Sequence, residues 1–144
     1  MWALFAFVAA TMGDKALVCV KHDHQPASSV KMDGQVQSAY SRKNWSSVMF
    51  FNVDHPANTP LFDPAGIINT RPGRDLHALC WIDDDRLIGE IGVEWNWLAG
   101  HSDPDVDPNI VHYTDGLPSL AAYRGAPYSQ EFFAALSAAA WGGS

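Results

Sequence analysis

Three short stretches of this 144-residue sequence gather side chains able to do chemistry. His22-Asp23-His24 sets two imidazoles at i and i+2 around a carboxylate. Alternate residues of an extended segment share a face, so the pair could coordinate a metal; a polar strand end accounts for the same residues without one. Asp83-Asp84-Asp85 follows an apolar run. Hard carboxylate oxygens placed there suit Mn2+ or Mg2+, whereas carboxylates in a first helical turn are favoured by the helix dipole alone. In "NIVHYTDGLPS" (109–119), β-branched residues run into His112 and Tyr113 before the chain breaks at Thr-Asp-Gly and Pro118. That pattern predicts a short strand with an imidazole at its exit, open to a role as ligand, as base or as packed core residue.

Two weaker signals accompany these. Trp95-Asn96-Trp97 would put both indoles on one side if extended, as a sugar platform or as paired core residues. Asn52 and Asp54, at the end of "VMFFNVD", could hydrogen-bond a hydroxylated ligand or simply reach solvent. GxSxG, HExxH, P-loop and GxGxxG motifs are absent. Cys19 and Cys80 sit in "LVCV" and "ALCWI", which predicts two buried thiols in a reducing cytosol, and no CxxC argues for a zinc ribbon.

The elements that must position these residues follow from patterning. An all-apolar helix is expected over 2–11, ended by Gly13, and a buried strand over 16–20 ("ALVCV"). Residues 21–42 are polar and turn-rich, and a segment of that length inside a compact domain is functional or partly structured. A second strand is expected over 45–52. A short helix would start at Asp63 or Pro64 and run through Asn69. "DLHALCWI" is ambiguous between helix and strand, and "RLIGEIG" is read as a short helix behind the aspartates. Ser129 caps a terminal helix over 129–141, with Glu131 in its first turn. Alternation of strands and helices predicts one α/β domain over 1–144.

Composition limits the function classes. Net charge is −7 with nine Lys and Arg, so nucleic acid is not an expected partner. The apolar N-terminus lacks a basic leader and is too short to span a bilayer, so a buried first helix in a cytoplasmic protein is expected rather than a signal peptide or transmembrane segment. Asn44-Trp45-Ser46 matches the glycosylation sequon at the start of an apolar run, a chance match on this reading.

Taken in order and spacing, "RKNWSSVMFFNVDHP", "IDDDRLIGEIGVEWNWL" and "NIVHYTDGLPS" resemble the second half of a GT-A-fold glycosyltransferase of the glycogenin and bacterial galactosyltransferase type. The resemblance implies a partial, Rossmann-like mixed sheet with flanking helices. It would be the acceptor-side half of the enzyme, lacking the N-terminal nucleotide-binding half. It implies transfer of a sugar from a nucleotide-sugar donor to a hydroxyl acceptor on a glycan, lipid or protein, with Mn2+ or Mg2+ in the complete enzyme and weak or no activity in this chain. By the same resemblance His112 would be the metal ligand and Asp84 or Asp85 would lie near the reacting centre. Asn44, Ser46, Ser47 and Asn96 would contact substrate, and Thr114 to Gly116 would approach the phosphates. The family's turn continues into Lys-Pro-Trp, where this chain has Leu117-Pro118-Ser119. Two other classes fit the residues: a non-catalytic glycan- or protein-binding module, and a metal-dependent hydrolase built on His22, His24, Asp83 and His112.

Overall fold

A computed structural model describes residues 2–25, 30–31, 34–36, 40–63 and 65–141. Helix α1 (Trp2–Met12) buries Leu4 and Val8, one turn apart on one face. It stops where Gly13 turns left-handed at φ 45° and the Lys15 N–H closes onto the Met12 carbonyl at 2.7 Å. Strand β1 (Leu17–Cys19) follows and is buried at every residue.

The hairpin β2 (Val30–Lys31) and β3 (Gln35–Val36) lies within the long polar segment. Strand β4 (Met49–Phe51), helices α2 (Thr59–Phe62) and α3 (Gly73–His77), and strand β5 (Ile88–Glu90) come next. A parallel pair, β6 (Trp97–Leu98) and β7 (Val111–His112), precedes helix α4 (Ser129–Trp141).

β1 is the centre of a three-stranded mixed sheet in the order β4-β1-β5. It pairs antiparallel with β4 (Cys19 opposite Met49) and parallel with β5 (Cys19 opposite Glu90). Alternation divides its neighbours between two faces. Val18 and Val20 pack with Leu4, Val8 and Ile91 under α1, and Leu17 and Cys19 pack with Leu79, Ile82 and Ile88 on the other side. A strand covered on both faces must be apolar throughout, which is why "ALVCV" carries no polar alternation. The result is a small mixed α/β fold. Among the described residues no helix is long and apolar enough to cross a membrane.

Several expected elements change. Residues 45–47 form a 3-10 turn rather than the start of a strand, entered through Asn44 in the left-handed region at φ 66°. "RLIGEIG" is not a helix: Asp85–Leu87 is a single 3-10 turn and Ile88–Glu90 is β5, because pairing with β1 outweighs local preference. The helix expected before Asn69 shrinks to a 3-10 turn, Ile67–Asn69, and Pro64 lies outside the described residues. Val93–Asn96 is also 3-10, so Trp95 and Trp97 do not form an extended platform; Trp97 is buried, and its Nε1 donates to the Asp103 carbonyl at 2.9 Å. Both cysteines are free thiols, but only Cys19 is buried.

Candidate functional site

In an open α/β sheet, the crevice beyond the carboxyl ends of the strands is where side chains from different loops meet. Here β1 runs into Val20–His24, β5 into Ile91–Val93, and β6 into a tight turn at Gly100. These three exits enclose a cleft of about 700 Å3 lined by His22, Asp23, His24, Glu90, His101 and Ser102, over an apolar floor that includes Ile91 and Leu98.

The histidines of this cleft are held in different ways. His22 hydrogen-bonds the backbone of Asn96, its own carbonyl accepts from Trp45 Nε1 at 2.9 Å, and its Nε2 is buried with no hydrogen-bond partner among the described residues. Burial, and then the neighbouring His112 and His24 rings, push its pKa down to about 4, so the ring is neutral at pH 7. With one ring nitrogen engaged by the Asn96 carbonyl, Nε2 presents a lone pair. His24 is buried and meets His101 edge to face, ring centroids 4.6 Å apart. His101 Nε2 in turn contacts Asp115 Oδ2 at 2.6 Å, a pair that is ionic when the ring is protonated.

Beside the cleft, a partly buried polar network joins distant parts of the chain. Asn96 Nδ2 donates to Ser47 Oγ at 2.8 Å and to the Asn44 carbonyl at 3.4 Å, and Thr114 Oγ1 donates to Asn44 Oδ1 at 3.2 Å. Four of the residues named from sequence therefore come together: Asn44, Ser47, Asn96 and Thr114. The others do not join them. Ser46 pairs with His77, and Asn52 closes a local turn by accepting from the Asp54 N–H. Gly116 packs so tightly under the Tyr123 ring that a Cβ there would collide with it.

The two aspartates expected near a reacting centre have structural partners, in a different cleft from the histidines. Asp84 caps the 3-10 turn by accepting from the Arg86 N–H at 2.9 Å and pairs with the Arg86 guanidinium, which holds its carboxyl down at about 2. Asp85 binds Arg42 at 2.6 Å. His112, at the end of β7, lies near enough to His22 to lower the pKa of that ring.

Among the described residues, no group of three or more His, Cys, Asp or Glu side chains stands where it could hold a metal ion. The resemblance implied Mn2+ or Mg2+ only in the complete enzyme, and among the described residues His112 belongs to no such group. Sequence reading missed His101, and it took in Asp115 only as part of the turn Thr114 to Gly116. Both lie in turns, and nothing in "GHSDPDVDPN" signals that the turn after β6 folds back onto the exit of β1.

The chain is similar to Protein CDI of Arabidopsis thaliana. The two are 44% identical over an alignment of 114 residues that covers 76% of this chain and 43% of Protein CDI. The chain thus spans less than half the length of that curated relative. No family model and no solved structure matches. These findings overturn the glycosyltransferase expectation: the relative is named Protein CDI, not a glycosyltransferase, and no GT-A family or structure supports the likeness. The expected nucleotide-sugar donor and hydroxyl acceptor lose their support with it.

Proposed function

We propose that the chain works as a small-molecule-binding unit whose site is the histidine-lined cleft at the carboxyl ends of β1, β5 and β6. The observation that carries this reading is His22: a neutral imidazole with a buried, unpartnered Nε2 beside the cleft. A buried polar atom without a partner costs stability, and a ligand that supplies the missing hydrogen offsets that cost. The parallel β1–β5 pairing supports a Rossmann-like reading of the sheet, in which the strand ends are the binding edge.

The lining chemistry selects the ligand class. Imidazole lone pairs and the carboxylates of Asp23 and Glu90 accept hydrogen bonds. Lys21 is also part of the lining, but its Nζ lies over the Trp45 ring at 5.6 Å and 3.5 Å from the Asp85 carbonyl. The cleft therefore suits a donor-rich molecule, neutral or cationic, such as a small amine, and disfavours an anion. Calorimetric titration with putrescine as a probe tests this. Saturable binding in wild type that is at least tenfold weaker in His22→Phe supports the reading. Absence of binding up to millimolar concentration, or equal binding by the variant, refutes it.

A further inference from the structure

A second, chemically opposite cavity lies across the sheet from the histidine cleft. It is about 430 Å3, between β4, α2, the turn Ile67–Asn69 and α3. Its walls are apolar: Met49, Phe51, Phe62, Leu76 and Trp81. The aromatic rings are fixed against one another, Phe51 stacked on Trp81 with centroids 6.4 Å apart and Phe62 edge-on to Phe51 at 5.9 Å. Trp81 is anchored from behind, its Nε1 donating to Asn58 Oδ1 at 3.1 Å, while Asn58 Nδ2 reaches the Ala16 carbonyl at 2.7 Å. The cavity is therefore part of the fold and not a gap between mobile side chains.

Its one polar feature is at the rim, where Ser46 Oγ and His77 Nδ1 lie 2.9 Å apart. We propose that this cavity binds a small amphipathic molecule, an aromatic body bearing one carboxylate, with the ring among Phe51, Phe62 and Trp81 and the carboxylate at Ser46 and His77. The volume falls in the range of small-molecule pockets, and an apolar lining with a single convergent polar pair is the pattern that orients such a ligand. Whichever of Ser46 Oγ and His77 Nδ1 donates to the other, one O–H or ring N–H of the pair remains to donate to a carboxylate. Half-exposed Phe62 (50%) and Ile68 (53%) form the open edge through which the ligand would enter.

The test is titration of the protein with 2-naphthoate, followed by calorimetry and by the ring signals of Trp81 in NMR. The expected result is one saturable site that moves the Trp81 signals. His77→Ala should weaken 2-naphthoate about fivefold or more while leaving 2-methylnaphthalene, which lacks the carboxylate, unchanged. Leu76→Trp should fill the cavity and abolish both. If that variant does not fold, Ile68→Trp, at an exposed edge position, gives the same reading. No saturation by 1 mM, or binding indifferent to both filling variants, overturns the proposal. So does a concentration-dependent dimer that Ile68→Trp dissolves, since a second copy would then be the occupant. Putrescine binding to the histidine cleft is read separately and is unaffected by any of these outcomes.

Discussion

Asn96 Nδ2 donates to Ser47 Oγ at 2.8 Å across the partly buried junction between the turn before β6 and the turn before β4. Asn96 is completely buried, and it also reaches the Asn44 carbonyl. Removing its amide takes that donor from Ser47 Oγ, while the Asn44 carbonyl keeps the Ser47 hydroxyl, which donates to it at 2.6 Å. Asn96→Ala is expected to cost about 1–3 kcal/mol of stability, and Ser47→Ala less, because it deletes one partner while the Asn44 carbonyl remains for Asn96. Urea unfolding of the two single variants and the double variant checks this. Additive losses would show that the two side chains do not act as a pair.

The depressed pKa of His22 gives a pH dependence with a definite sign. Its ordinary value is 6.5 and its folded value about 4. Between these values the unfolded chain takes up a proton that the folded chain refuses. Stability from this group is therefore complete above about pH 6.5 and falls as pH drops toward 4. His22 is only partly buried, so the full shift must be discounted, leaving roughly 1–2 kcal/mol. Urea midpoints at pH 7.5, 5.5 and 4.5 for wild type and His22→Gln isolate it from the carboxylates, which titrate in both. A variant with the same slope as wild type over that range would refute the assignment.

Thiol chemistry separates the two cysteines. Cys19 lies in the central strand, and burial pushes its pKa up to about 12, so it offers no thiolate at neutral pH. Cys80 is exposed. Ellman's reagent at pH 8 is expected to label one thiol per native chain and two in 6 M guanidinium. Cys80→Ser should abolish the native reaction entirely.

The legible parts of the fold were those where one physical demand dominated a contiguous run. β1 was readable because a strand covered on both faces must be apolar throughout. α4 was readable from its early Glu131 and its Ala-rich body, although Ser129 is its first residue and its hydroxyl donates to the Ala126 carbonyl, and β7 from its β-branched entry and Asp-Gly exit. The misread segments turned on choices with no local marker. Asn44 adopts a left-handed conformation that any glycine would have advertised, and it converts "NWSS" from strand to turn. "LIGE" becomes a strand only because β1 lies beside it. The histidine cleft was half legible. His22-Asp23-His24 stood out as a motif, whereas the contact of His24 with His101 comes from a chain reversal after β6 that spacing cannot show.

The acidic triplet offers the sharpest contrast between a motif and its structural use. Arg42 is half-hidden, and its guanidinium donates to the Ala78, Leu79 and Ile82 carbonyls at 3.2, 2.8 and 2.8 Å besides meeting Asp85. It closes the turn that carries Leu79 and Ile82 into the core. A lysine has one compact ammonium and cannot span three carbonyls, so Arg42→Lys is expected to cost about 2–3 kcal/mol. Asp85 is 66% exposed on its side chain, and Asp85→Asn should cost less than about 1 kcal/mol. Asp84→Asn should leave the thermal midpoint unchanged, since asparagine caps the same turn and the Arg86 pair lies in solvent. Thermal unfolding of the three variants at pH 7 checks the order. A loss at Asp84 equal to that at Arg42 would show that the triplet is more than a cap and a surface pair.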